Sequence, residues 1–329
     1  MRKILLIFLL VFSLGLVGCD EEKSHEAQNI IIIGHSDSET NLIHISLLHF
    51  AEAVEKRTQG ALKVKIFPAE QLGNDTEMFQ MVEKGTLDGM MLPASQQATI
   101  CPKFKTLSLP FLFSSYLHVY KVLDGPIGNE LPEGLNKHNM IQLAYWANGL
   151  RQITNNKHPI NEPKDLQALK ICTPEDEITI EIFKTFGAKP SPYSLSKLYL
   201  AVKQGLYDGI ENSVANIYAY NLHEVQKYLS MVNYQYQPRT MVLSLSRWES
   251  LPVNVQDILL KAAKEFGKEH REAVTSNEAQ MLVDFGDQGI EIDYPYPEPF
   301  EAASEPVYQH FYKNNDWAED LVKRIKALR

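Results

Sequence analysis

The side chains able to do chemistry are spread along this sequence and form no reactive pattern. His223-Glu224-Val225-Gln226-Lys227 begins like a zinc-protease helix, but the second histidine is missing and a metal would lack a ligand. His44 and His49 stand five apart and share no helix face. There is no Gly-x-Ser-x-Gly elbow, phosphate-binding loop, dinucleotide fingerprint or paired-cysteine metal spacing. The expectation is a protein with no catalytic residue, no metal and no cofactor. Two sets of side chains suit holding a molecule. Glu175, Asp176 and Glu177 offer countercharge to an amine, or the acidic first turn of a helix. The aromatics Tyr145, Trp146, Tyr199, Tyr218, Tyr234 and Tyr236 offer ring faces to a ligand, or fill cores.

The elements that must position these residues alternate. Ile30-Ile31-Ile32-Ile33-Gly34 is an apolar run suited to a buried parallel strand. Leu47, Leu48, Ala51 and Val54 then recur at helical spacing, with Gly60 beyond the helix end. Leu62 to Phe67 alternates like a strand, Thr76 to Glu83 reads as a helix ended by Gly85, and Leu87 to Leu92 returns as a strand. The same order recurs at 169–210: strand, helix (177–186), extended link (188–192), helix (195–203), strand. Both series end alike, in Gly85-Thr86-Leu87-Asp88-Gly89 and Gly205-Leu206-Tyr207-Asp208-Gly209. This predicts two α/β lobes of similar construction, each a parallel sheet covered by helices. Beyond them, 228–236 and 240–246 read as strands. A long, interrupted helical pattern starts at Pro252, Ile290 to Ile292 is a short strand, and 300–328 reads as one or two helices.

The first residues read as a leader. Arg2 and Lys3 precede an apolar stretch over 4–16, and Leu16-Val17-Gly18-Cys19 puts a small residue before a cysteine. That ending looks like a bacterial lipobox, which implies cleavage before Cys19 and acylation of its thiol. Residues 20–28 then form a charged tether. Without Arg2 and Lys3, 30 basic residues face 41 acidic ones, so the mature net charge is 30 − 41, about −11. An acidic surface argues against nucleic acid as a partner. Of the three cysteines, Cys101 and Cys172 remain in the body; they can be free thiols or a disulfide.

An ordered set of motifs covers nearly the whole mature chain: Gln71-Leu72-Gly73, Leu109-Pro110-Phe111, Gly149-Leu150-Arg151-Gln152-Ile153-Thr154-Asn155, Pro163-Lys164-Asp165-Leu166, Phe186-Gly187-Ala188, Asp208-Gly209-Ile210-Glu211-Asn212 and Glu224-Val225-Gln226-Lys227-Tyr228-Leu229. In this it resembles the solute-binding subunit of tripartite ATP-independent periplasmic (TRAP) transporters. The resemblance implies a two-lobed periplasmic-binding-protein-like α/β fold with a ligand cleft and a long connecting helix. It places lobe one at 27–148 plus 238–277, and lobe two at 149–237 plus 278–329. It also implies capture of a small organic solute, usually a carboxylate, by hinge closure at the extracytoplasmic face of the membrane. Membrane permease subunits would be the partners. Ligand contacts implied by the match are Arg151, Asn212, Cys172, Ser36, Asn74, Asp75 and Leu195, with Tyr145 and Trp146 nearby. Cys172 stands where the family carries a carboxylate-clamping arginine, and a thiol is a far weaker donor than a guanidinium. Either Arg151 holds the carboxylate alone or the ligand is not a simple monocarboxylate. A receptor feeding a membrane sensor, or an exported α/β enzyme, are the alternatives.

Overall fold

The computed structural model describes residues 29–192 and 195–329, without the side chains of residues 195 and 196. The leader, Cys19 and the tether lie outside the described residues. The first half runs β1 (Asn29–Gly34), α1 (Leu42–Arg57), β2 (Leu62–Phe67), α2 (Asp75–Glu83), β3 (Gly89–Pro93), α3 (Tyr116–Leu123), α4 (Pro126–Glu130), β4 (Met140–Trp146) and β5 (Leu150–Asn155). Next come β6 (Lys170–Thr173), α5 (Glu177–Thr185), β7 (Lys189–Pro192), α6 (Leu195–Lys203), β8 (Gly209–Ser213), α7 (Val214–Ala219), β9 (Tyr228–Tyr236) and β10 (Arg239–Ser244). The chain closes with α8 (Leu245–Glu249), α9 (Val253–Asp287), β11 (Glu291–Asp293), α10 (Glu298–Ala303), α11 (Glu305–Asn314) and α12 (Ala318–Lys326).

Two sheets result. The first has the order β2-β1-β3-β10-β4 and the second β11-β9-β5-β8-β6-β7. In the first, β1 lies parallel to β2 and β3, and β10 runs antiparallel to β3 and β4. In the second, β6 lies parallel to β7 and β8, and β5 runs antiparallel to β8 and β9. The two-lobed α/β expectation is met. One core packs α1 and α9 on the first sheet through Leu47, Phe50, Val54, Leu259 and Ala263. A larger one joins Met78, Phe104, Tyr145, Phe183 and Tyr234 to the tail through Phe300, Phe311 and Leu321. A third sets Cys172, Ile217 and Phe285 together.

Three expectations need correction. Leu48 is 42% exposed; the buried face of α1 turns instead through Ile43, Leu47, Phe50 and Val54. The helix after Pro252 is an uninterrupted 35 residues: its first half packs on the first core, and beyond it the buried His270 and Arg271 donate to Ala147 O and the Asp124 carboxylate. The tail forms three helices, with prolines near the starts of α10 and α11 dividing it.

The paired Asp-Gly segments have one physical explanation. Oδ2 of Asp88 accepts the backbone N–H of Ile32 on β1 at 2.8 Å. Oδ2 of Asp208 accepts that of Lys170 on β6 at 2.9 Å. Each aspartate thus completes the ladder between two parallel strands where the third enters, and each is followed by a glycine pressed onto the antiparallel neighbour. A Cβ on Gly89 would lie 2.8 Å from the carbonyl oxygen of Val242, and one on Gly209 2.0 Å from that of Thr154. Gly209→Ala is therefore expected to lose about 1–3 kcal/mol of stability through forced separation of β5 and β8. Gly286→Ala, where no described residue beyond the local helix backbone lies within 4 Å of the added Cβ, should be neutral or stabilising. Urea denaturation of the two variants checks the contrast.

Candidate functional site

Residues at or just past the carboxyl ends of β1, β3, β6 and β8 gather at one place, which is where parallel α/β sheets leave room for ligands. Between them lies a cleft of about 760 Å³. Ser36, Asn74, Asp75 and Pro93 line it from the first sheet, and Arg151, Cys172 and Asn212 from the second. Six of the residues expected at the site are thus brought together: Arg151, Asn212, Cys172, Ser36, Asn74 and Asp75. Tyr145 and Trp146 are not among them. The Tyr145 ring is buried and its hydroxyl donates to Gly128 O at 2.8 Å, while Trp146 is wholly buried against α1 and donates to Ser46 Oγ at 3.0 Å. Their strand, β4, is the outer strand of the first sheet, on the far side of β10 from β3. The side chain of Leu195 lies outside the described residues.

Arg151 is held by the fold. Its Nε and Nη2 donate to Glu211 Oε2 and Oε1 at 2.5 and 2.7 Å, and Nη2 also reaches Glu211 O at 3.2 Å. Tyr234 OH donates to the same carboxylate. Burial works against the charge on Arg151, but Glu211 and Tyr234 outweigh it and keep the guanidinium protonated. Burial likewise pushes the Glu211 carboxyl up, and Arg151 pulls it back. Beside them the Cys172 thiol is pushed up to about 12, first by burial and then by Glu211, so it offers a neutral S–H. Cys101 is also a buried free thiol, donating to Glu133 O at 3.4 Å.

Asn212 belongs to an amide ladder. Its Oδ1 accepts Ser213 N at 2.9 Å and Asn216 Nδ2 at 2.8 Å. Asn216 Nδ2 also donates to Asn148 Oδ1 at 3.1 Å, and its Oδ1 accepts Asn41 Nδ2 at 3.0 Å. With its oxygen occupied, Asn212 can present only N–H to a ligand. Asn41 caps α1 on the first-sheet side, so the ladder crosses between the two halves. Asn74 caps α2, its Oδ1 accepting Glu77 N at 3.0 Å. Its position follows from that cap.

The sequence reading missed Arg239. It heads β10, is 2% exposed, lines the cleft, and donates through Nη2 to Asp37 Oδ1 at 2.7 Å. Its signal was available: an arginine directly before the apolar strand Met241-Val242-Leu243, a strand read as starting one residue later.

This fold and cleft define a two-lobed solute-binding protein, and the comparisons with known proteins agree. The model of bacterial extracellular solute-binding protein family 7 (DctP) matches residues 33–315, and the chain belongs to that family, the solute-binding subunits of TRAP transporters. It is 32% identical to the 2,3-diketo-L-gulonate-binding periplasmic protein YiaO of Escherichia coli, over 90% of this chain and 91% of that one. Among solved structures, a TRAP solute-binding protein of a Polaromonas species bound to D-erythronate is 31% identical. It has a TM-score of 0.86 and is matched over 91% of this chain and 98% of that one. A Sulfurospirillum deleyianum protein with bound succinate is 30% identical, with a TM-score of 0.85 over 92% of this chain and all of that one. No helix of the described residues is long and apolar enough to cross a membrane.

Asp75 gives a pH test of the cleft. Burial holds its carboxyl up at about 6, with Arg239 pulling the other way, against 3.8 for the free side chain. The folded protein therefore keeps this proton longer than the unfolded chain does. This group's contribution to stability falls as pH rises from about 4 to about 6, then stays level. Asp75→Asn should accordingly raise Tm at pH 7.5 and leave it unchanged at pH 3.5. Thermal unfolding of both proteins at the two pH values decides it, and an equal shift at both would contradict the buried carboxylate.

Proposed function

We propose that this protein captures a small organic acid outside the cytoplasmic membrane, releases it unaltered, and delivers it to the membrane subunits of a TRAP transporter. The observation that carries this is the pair of buried guanidiniums, Arg151 and Arg239, brought to one cleft from two sheets. Buried positive charge with N–H groups from Asn212 and a neutral thiol from Cys172 suits an anion with polar substituents. The YiaO relative and the two bound structures carry small acids, which supports the same class.

The lobes, 27–148 plus 238–277 and 149–237 plus 278–329, close as two bodies over the ligand, with Ser36, Asn74 and Asp75 meeting it from one and Cys172 and Asn212 from the other, backed by the Arg151–Glu211 pair. Differential affinity for the closed form drives that movement. No reaction is assigned to the cleft. The mature protein is held at the membrane by acyl chains on Cys19, after removal of 1–18. More than one chain is required for a stable anchor.

Thermal unfolding against a panel of organic acids, amines and neutral polyols tests capture. A true ligand at a hundredfold excess over its Kd adds about 2.7 kcal/mol to stability. Mass spectrometry should recover it chemically unchanged at one equivalent per protein. A panel in which no acid raises Tm, or a recovered product that differs from the acid added, overturns the reading. In cells, Cys19→Ser is expected to abolish incorporation of labelled fatty acid and release the protein from the membrane fraction; continued labelling would refute the anchor.

A further inference from the structure

The two cleft arginines are structural counterparts. In the second sheet, Gly209 of the Asp-Gly pair faces Asn155 on β5, and Arg151, four residues earlier on that strand, faces Ser213. In the first sheet, Gly89 of the other Asp-Gly pair faces Leu243 on β10, and Arg239, again four residues earlier, faces Pro93. Both strands run antiparallel to the strand that carries the glycine. The same construction, made twice, delivers one guanidinium from each sheet to the cleft.

Their chemical states differ. Arg151 is gripped along one edge by both carboxylate oxygens of Glu211. Arg239 gives Asp37 one bond, from Nη2. Its Nε and Nη1, which carry three of a guanidinium's five N–H donors, are buried and have no hydrogen-bond partner among the described residues. A charged donor buried in this way calls for an anionic acceptor. The same corner also holds two buried oxygens with no partner at hydrogen-bond geometry among the described residues, Asp75 Oδ1 and Ser36 Oγ, and Arg239, Asp37 and the Ser36 hydroxyl all act on the Asp75 carboxyl. The corner therefore asks for an acceptor and a donor close together.

The remaining charges oppose a second anion. Outside the self-neutralised Arg151–Glu211 pair, Arg239, already paired with Asp37, and Lys197 line the cleft together with Asp75, Glu77 and Glu175. Cys172 is itself uncharged, and the Arg151 guanidinium beside it is already matched by Glu211.

Resting on the reading of the protein as an organic-acid carrier, we propose that Arg239 receives the ligand carboxylate in place of an arginine at position 172, and that the ligand is a 2-hydroxy monocarboxylate whose hydroxyl donates to Asp75. Arg151 acts behind it as a fixed, internally compensated support. A dicarboxylate is disfavoured because its second charge meets the acidic wall.

Titration calorimetry with three four-carbon acids separates the possibilities. D-erythronate is a 2-hydroxy monocarboxylate, butyrate lacks the hydroxyls, and succinate carries a second carboxylate. D-erythronate should bind at least tenfold more tightly than either. Arg239→Gln should weaken it roughly a hundredfold, the loss expected for two charge-assisted bonds. Because that change strands Asp37 in the interior, Arg239→Gln combined with Asp37→Asn removes both charges and should fold with the same loss of affinity. Asp75→Ala should reduce the preference for D-erythronate over butyrate. Succinate binding as tightly as D-erythronate overturns the ligand class. Wild-type affinity in the folded double variant overturns the role of Arg239. A Tm unmoved by every acid in the wider panel would instead refute the carrier reading itself.

Discussion

A guanidinium taken out of water must be matched by negative charge, and that requirement organises the centre of this molecule. Glu211 on β8 answers it for Arg151 on β5, and Tyr234 on β9 donates to the same carboxylate. Three strands of the second sheet are thereby tied through one buried carboxylate. Removing one member of such a pair typically costs 3–5 kcal/mol, because the other is left charged and alone. The second sheet therefore cannot lend Arg151 to a ligand without disturbing its own middle. The first sheet meets the requirement only in part, with Asp37 accepting a single bond from Arg239 Nη2. The division of labour between holding the fold and holding the ligand follows from this difference in compensation.

Much of the frame was legible because it depends on local pattern. Strand β2 and strand β9 fall where alternation and β-branched or aromatic content place them, and the matching Asp-Gly segments announced the repeated construction. The edges were less legible. Strands β3 and β8 start later than their apolar residues suggest, because Asp88 and Asp208 turn inward to bond a neighbouring strand. Strands β4 and β5 went unread: their neighbours, β10 and β8, come from far along the chain, and pairing at that range leaves no local signature. The same limit hid Arg239, whose place in the cleft depends on register with Pro93. Tyr145 and Trp146 show the reverse error. Aromatic residues beside a binding motif drew attention, yet each satisfies its polar atom inside a core.

Asn212 is expected to touch the ligand, and through Asn216 it also reaches Asn41 on the opposite side. One amide side chain thus takes part in both solute contact and contact between the two halves. Whatever orients Asn212 in a filled cleft also orients the bridge to α1, so filling and closing reinforce each other through shared hydrogen bonds. No titrating group is needed for that coupling, which leaves it insensitive to the acidity of the surroundings.

The position of β10 sets an order of events in time. It lies between β3 and β4, yet the chain makes β5 to β9 after Trp146 and before it reaches Arg239. Until then β3 and β4 have no partner to join them, and the first sheet exists as two pieces. A chain emerging from the ribosome from its amino end cannot complete this half early. Long-range pairing of that kind slows folding and keeps the polypeptide extended. For a member of a family whose proteins work in the periplasm, a late central strand postpones collapse of the first sheet until most of the chain has been made.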